Sequence, residues 1–278
     1  MRSSVEIFDL AARQHRVVWQ TEALFEAPNW SPCGRYLLLN SDGLMYRLAV
    51  DGTRPEPLDT GFARQCNNDH GISPDGSLIA ISDKAEFAKS AIYVLPATGG
   101  EPRLVTRNLP SYWHGWSPDG RQFVYCGIRD DLFDIYTIDV DGGDENRLTF
   151  GEGRNDGPDY SPDGRWIYFN SSRSGLMQIW RVPAAGGTVE RVVESGHGDW
   201  FPHPSPTGDK VIFLSYEPEV FDHPRDQPVR IRMMDPDGRN VETLFDLFGG
   251  QGTMNSPNWA PDGRAFAYVR YFPASASA

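Results

Sequence analysis

Cysteine is scarce in this 278-residue chain. Cys33, Cys66 and Cys126 share no C-x-x-C spacing, which excludes a disulfide framework and a cysteine-built zinc site and leaves three reduced thiols, as expected of a cytosolic protein. Long apolar runs are also missing. Met1-Arg2-Ser3-Ser4 leads directly into a strand pattern with no apolar signal segment and no membrane span, so the expected location is the cytoplasm, with no membrane contact. Positive charge is outweighed: 26 Lys and Arg stand against 38 Asp and Glu, a formal net charge of −12 that argues against nucleic acid or an anionic membrane as partner. No Gly-x-Ser-x-Gly elbow, Walker loop or dinucleotide fingerprint is present, which excludes a serine-hydrolase domain and nucleotide chemistry built on those motifs.

What is abundant is one short phrase, written six times: Ser31-Pro-Cys-Gly, Ser73-Pro-Asp-Gly, Ser117-Pro-Asp-Gly, Ser161-Pro-Asp-Gly, Ser205-Pro-Thr-Gly and Ala260-Pro-Asp-Gly. Successive copies start 42, 44, 44, 44 and 55 residues apart, a period that fits one four-stranded propeller blade and is too long for an ankyrin or leucine-rich repeat. Each copy reads as a tight turn, with Pro presetting φ and Gly taking the left-handed conformation that a Cβ would penalise by about 1–2 kcal/mol. After the turn come dense apolar runs such as Tyr36-Leu-Leu-Leu and Trp166-Ile-Tyr-Phe, without the polar alternation of a sheet with one wet face. They read as strands covered on both faces by neighbouring blades.

Strand counting shows how the ring closes. Only one strand, Ala265-Phe-Ala-Tyr-Val-Arg, follows the sixth copy, while two spare strands, around Val5–Leu10 and Arg16–Gln20, precede the first. The expectation is an all-β, six-bladed propeller of four antiparallel strands per blade, with residues 1–20 completing the last blade. One domain then spans 1–278, with a loose tail over 273–278.

The sequence of Trp-Ser-Pro-Asp-Gly, apolar strand, Ile-Tyr or Ile-Trp strand and Gly-Gly turn resembles the propeller repeats of the TolB C-terminal domain over essentially the whole chain. Asn146-Arg-Leu-Thr and Asn170-Ser-Ser-Arg-Ser-Gly resemble the ends of those repeats. The resemblance implies the fold and little function, because the same repeat occurs in prolyl-oligopeptidase-like propellers and in oligogalacturonate lyases. The export signal and N-terminal domain of TolB are not seen here.

Function is therefore sought where the chain departs from its own repeat. Three residues before each turn stand Pro28, His70, His114, Pro158, Pro202 and Pro257, so two adjacent blades replace proline by histidine; His203 lies one place later in the fifth blade. If the strand before each turn is innermost, these residues lie near the channel mouth. Two readings stand side by side: the imidazoles bond to neighbouring loops, or His70, His114 and His203 converge on a divalent metal ion or an acid–base site. Around them, Asn68, Asp69, Trp113, Asn155, Asp156 and Trp200 form a candidate binding rim whose aromatics and amides suit a sugar ring, unless the tryptophans pack between blades. Arg129, Arg173 and Arg225 could hold a carboxylate. The stretch Glu217-Pro-Glu-Val-Phe-Asp-His-Pro-Arg-Asp-Gln-Pro, which lengthens the last spacing, reads as a lid, a contact surface or a tolerated insertion. The leading expectation is a binding module for a protein partner or a small polar ligand such as a carbohydrate. The alternative is a metal-assisted carbohydrate lyase or hydrolase, similar to oligogalacturonate lyase.

Overall fold

The turn phrase does what its residues dictate. In each copy the Gly N–H donates to the carbonyl of the first residue, as in Gly76 to Ser73 at 2.8 Å and Gly263 to Ala260 at 2.9 Å. All six glycines (34, 76, 120, 164, 208 and 263) have φ between 69° and 75°. The serine hydroxyl explains its own recurrence: Ser73 Oγ donates to Asp75 at 2.6 Å and accepts from the Leu78 N–H at 2.9 Å, stapling the turn to the strand that leaves it.

The computed structural model describes residues 2–273. Two strands open the chain, β1 (Arg2–Asp9) and β2 (Gln14–Thr21). The first blade is β3 (Glu26–Trp30), β4 (Tyr36–Ser41), β5 (Leu44–Ala49) and β6 (Glu56–Leu58). The second is β7 (Cys66–Ile72), β8 (Leu78–Asp83), β9 (Ala91–Pro96) and β10 (Arg103–Leu104). The third is β11 (Ser111–Trp116), β12 (Gln122–Arg129), β13 (Leu132–Asp139) and β14 (Asn146–Arg147). The fourth is β15 (Asn155–Tyr160), β16 (Trp166–Ser174), β17 (Leu176–Pro183) and β18 (Glu190–Arg191). The fifth is β19 (Gly198–Pro204), β20 (Val211–Tyr216), β21 (Gln227–Met234) and β22 (Glu242–Gly249).

The sixth blade joins the two ends of the chain. Its sheet runs β2, β1, β23, where β23 is Ala265–Phe272, and its inner position is reduced to a bridge between Trp259 and Phe266. β1 pairs antiparallel with β23 from Arg2 opposite Phe272 to Asp9 opposite Ala265. A polar cluster built on buried Glu6 and Tyr268 ties all three strands together: Tyr268 Oη donates to the Glu6 carboxylate, Arg270 Nε lies 3.1 Å from Glu6, and His15 Nδ1 lies 2.7 Å from Tyr268 Oη. The tail expected over 273–278 lies outside the described residues beyond Pro273. No helix among the described residues is long and apolar enough to cross a membrane.

The second strands are buried on both faces, as their unbroken apolar runs require; β20 is buried along its whole length. Core clusters lie between blades: Ala80, Ile92 and Val94 of the second blade pack with Trp116, Phe123 and Tyr125 of the third. Two of the three indole N–H groups before the turns reach back one blade, Trp116 to the Gly71 carbonyl at 3.2 Å and Trp259 to the His203 carbonyl at 2.9 Å.

Closure by the chain ends makes a specific demand. A variant lacking residues 1–20 leaves β23 as an open edge over apolar surface and is expected to be aggregated or unfolded. Tyr268→Phe, which takes a donor from buried Glu6, is expected to cost about 1–3 kcal/mol. Urea unfolding checks both; a truncated chain unfolding at the wild-type midpoint would contradict the closure.

Candidate functional site

Each of the first five inner strands is irregular at the same place. The pairing register shifts between Glu26 and Asn29, Cys66 and His70, Trp113 and Gly115, Asp156 and Asp159, and Trp200 and His203. Three blades place a left-handed residue before the repeat proline there: Ala27 (φ 52°), Gly157 (φ 56°) and Phe201 (φ 53°). Such bulges re-aim side chains and are typical of strands beside sites.

The residue five before each turn benefits: Glu26, Asn68, Tyr112, Asp156, Trp200 and Asn255. The first five line cavities at one end of the channel, and Asn255 is buried beside them, donating from Nδ2 to Asp69 at 2.5 Å. The most enclosed of these cavities, of about 210 Å³ and called the deep cavity below, is lined among others by Asp69, Tyr112, His114, Arg154, Asp156, Phe201, His223 and Gln251.

Asp156 is the centre of this cavity's polar wall. His114 Nε2 lies 3.4 Å from its carboxylate, Arg154 Nη2 3.1 Å and His223 Nε2 3.7 Å, and the Gly157 N–H donates to it at 2.9 Å. Burial alone would raise this carboxyl. The hydrogen bond from His114, the neighbouring His223 ring and the Arg154 charge outweigh burial and hold it well below the usual carboxylate range. Burial likewise pulls His114 down, but Asp156 and the Asp69 charge win, so His114 titrates above an ordinary histidine. Burial raises Asp69.

The insertion folds over this end of the channel. Arg154 Nη1 donates to Asp222 at 2.8 Å and Nη2 lies 3.0 Å from His223 Nε2. The guanidinium stacks over Phe133 at 4.5 Å, and His223 sits edge-on to Trp200 at 4.5 Å. Tyr216 Oη, at the base of the insertion, donates to the Pro224 carbonyl at 3.1 Å. His223 and Arg154 are thus central to the site. The repeat pattern did not single out His223, because no other blade has an equivalent; the irregular spacing was its only signal.

The nine residues singled out from sequence are dispersed. Asp69, His114 and Asp156 line the deep cavity, Asn68 lines two outer clefts, and Trp200 lines a groove on the opposite side of the insertion. Trp113 is wedged between blades, where a Cβ on Gly71 would come within 2.1 Å of its ring. Asn155 is fully buried, donating to Asp134 at 3.0 Å and accepting from Arg173 at 2.9 Å.

The three histidines considered as a metal set bond to three different partners. His70 Nε2 donates to the Ala27 carbonyl at 2.9 Å, and burial pulls its pKa down to about 4. His203 places Nδ1 3.0 Å from Asp159 and Nε2 2.8 Å from the Met254 carbonyl, while His114 faces Asp156. Among the described residues no three His, Cys, Asp or Glu side chains form a group that could hold a metal ion. Of the three arginines considered for carboxylate binding, Arg129 is paired with Glu145 at 2.8 Å and Arg173 with Glu152 at 3.1 Å; Arg225 lines the outer clefts.

These shifts set a pH dependence. His114 titrates above its unfolded value of about 6.5, so its stabilisation is complete below that pH and is lost as pH rises through its folded pKa. Asp156 behaves oppositely, contributing fully above about pH 3.9 and losing its contribution as pH falls through its folded pKa. His114→Gln is therefore expected to cost about 1–3 kcal/mol at mildly acidic pH and less at alkaline pH. Urea unfolding across that range checks it; an equal loss at both ends contradicts the pairing.

Comparison with known proteins agrees with this architecture. Residues 113–223 match the family model described as the TolB beta propeller domain. An uncharacterized protein of Agrobacterium fabrum is 74% identical over 274 residues, covering 98% of this chain and 94% of that protein. A solved structure from Agrobacterium tumefaciens, described as a TolB candidate, superposes with a TM-score of 0.97 at 73% identity over 99% of both chains. TolB from Acinetobacter baumannii shares the fold, with a TM-score of 0.71 at 19% identity over 90% of this chain and 64% of that one. An oligogalacturonate lyase in complex with manganese, at 12% identity and a TM-score of 0.58 over 98% and 91% of the two chains, also shares the fold alone. The chain belongs to the TolB-like β-propeller family.

Proposed function

We propose that this propeller is a binding module that holds a small, polar, uncharged ligand in the deep cavity at its channel mouth. The observation that carries the reading is a pair of buried polar atoms beside that cavity, His114 Nδ1 and Arg154 Nε, which find no partner within the protein. An unpaired buried polar group costs about 1–3 kcal/mol, and a ligand or solvent that reaches it recovers that cost. The lining supports an uncharged ligand: the Asp156 charge is matched by Arg154 and by His114, while Tyr112, His223 and Gln251 offer further donors and acceptors. At about 210 Å³ the cavity is below the usual range for drug-sized ligands, which favours a single small molecule in it.

The sugar reading based on stacked tryptophans loses its platform, since Trp113 and Trp200 are 1% and 3% exposed. Phe201, Phe133 and Tyr112 are the aromatic residues of the deep cavity. A protein partner is the second reading, favoured by Phe221, which stands 90% exposed on the insertion beside a groove lined by Leu176, Met177 and Val220. Phe221→Ser would weaken such a complex and leave small-ligand binding intact.

A thermal-shift screen of neutral polar metabolites tests the leading reading. A ligand at about 100 times its Kd stabilises by about 2.7 kcal/mol, so hits are expected to raise the wild-type Tm by several degrees and to leave His114→Ala unmoved. No hit, or an equal shift in both proteins, contradicts it.

A further inference from the structure

The space at the channel mouth continues beyond the deep cavity. Gln251 lines that cavity and also two outer clefts of about 380 and 490 Å³. His223 is shared by the deep cavity and the smaller cleft, and Glu26, Asn68 and Arg225 by the two clefts. The three spaces therefore adjoin. They succeed one another from Asp156 past the insertion at His223 and Arg225, and the larger cleft is lined by Asn40 and Asp42 of the first blade and Asn67 and Asn68 of the second.

The outer clefts are lined mainly by polar side chains, whereas the deep cavity adds Ile128, Phe133 and Phe201 to its polar groups. Asn40, Asn67, Asn68 and Gln251 present amides, and the apolar side chains of the larger cleft are those of Ala23, Leu24 and Cys66. Buried Asn40 leaves Oδ1 without a partner, an acceptor in want of a donor. The charged groups of the clefts are mostly acidic: Glu26, which accepts from Tyr271 Oη at 2.8 Å, Asp42 and Asp222 stand beside Arg225, which lies 3.4 Å from Asp226.

Three classes of chain-like ligand can be weighed against this lining. A polyanion would meet Glu26, Asp42, Asp69 and Asp156 on a chain of net charge −12. An apolar peptide would find apolar side chains only at the deep end, at Ile128, Phe133 and Phe201, and few along the outer clefts. A chain of hydroxylated rings presents vicinal donors and acceptors, which amides and carboxylates pair with in both directions.

We propose that the ligand of this site is a neutral oligosaccharide of at least two sugar units, with one end in the deep cavity and the rest threaded past Gln251 into the outer clefts. The inference rests on the reading of the channel mouth as a ligand site. Gln251 is the residue that every bound length beyond the first unit must pass.

Titration calorimetry with glucose, mannose and galactose, their di- and tetrasaccharides, tetraglycine and tetragalacturonate tests it. At least one sugar series is expected to bind at least tenfold more tightly as a tetrasaccharide than as a monosaccharide. Gln251→Ala is expected to remove most of that gain and to melt like wild type without ligand, Asn40→Ala to weaken only the tetrasaccharide, and His114→Ala, measured at alkaline pH where its pairing contributes least to stability, to weaken every length. Monosaccharide binding that is lost in His114→Ala but does not grow with length would overturn the oligosaccharide and leave the deep site standing. Tighter binding of tetraglycine or tetragalacturonate, or no binding by any sugar, would also overturn it, and the thermal-shift screen then reads the deep site independently.

Discussion

The pairing of β1 with β23 is the constraint on which the rest of this structure depends. A propeller blade presents apolar faces to both neighbours, so no blade is stable with one side open, and the ring has to close. Here the closure joins residues more than 250 positions apart, and its register is reinforced by a polar cluster of Glu6, Tyr268, His15 and Arg270. Five inner strands and the Trp259 bridge are thereby held around one axis. Without that hold, Asp69 of the second blade and Asp156 of the fourth would have no reason to share a cavity.

Holding charge near the axis is the second demand. Carboxylates taken out of water are costly unless each has donors of its own, and the channel supplies them individually. Asp156 has Arg154, His114 and the Gly157 N–H; Asp69 has Asn67 and Asn255; Asp159 has His203. The His203 ring presents Nε2 to a carbonyl and Nδ1 to Asp159, so a proton lies between imidazole and carboxylate. The result is a polar axis made of compensated groups, with unpaired atoms beside the cavity at His114 and Arg154.

Much of the fold is legible in the sequence because its determinants are local and repeated. The Ser-Pro-x-Gly turns specify their geometry within four residues, and the two spare N-terminal strands follow from counting. The site is less legible because a bulge separates sequence position from orientation. His70 and His114 occupy the same repeat position, yet one bonds to the Ala27 carbonyl of the preceding blade and the other to Asp156 of the following one. The more informative position lies two residues earlier, at Glu26, Asn68, Tyr112, Asp156 and Trp200, where no shared residue type marks it. Trp113 and Asn155 look like rim residues in one dimension and are buried between blades in three. His223 could be placed only by knowing where the insertion folds.

The central claim is that Arg154 and Asp156 hold the insertion over the channel mouth and so make an enclosed site of it. Hydrogen–deuterium exchange of wild type and Arg154→Ala measures this directly. The account predicts faster exchange over residues 217–226 in the variant, with the inner strands and the β1–β23 pair unchanged. Exchange over 217–226 that is the same in both proteins would contradict it.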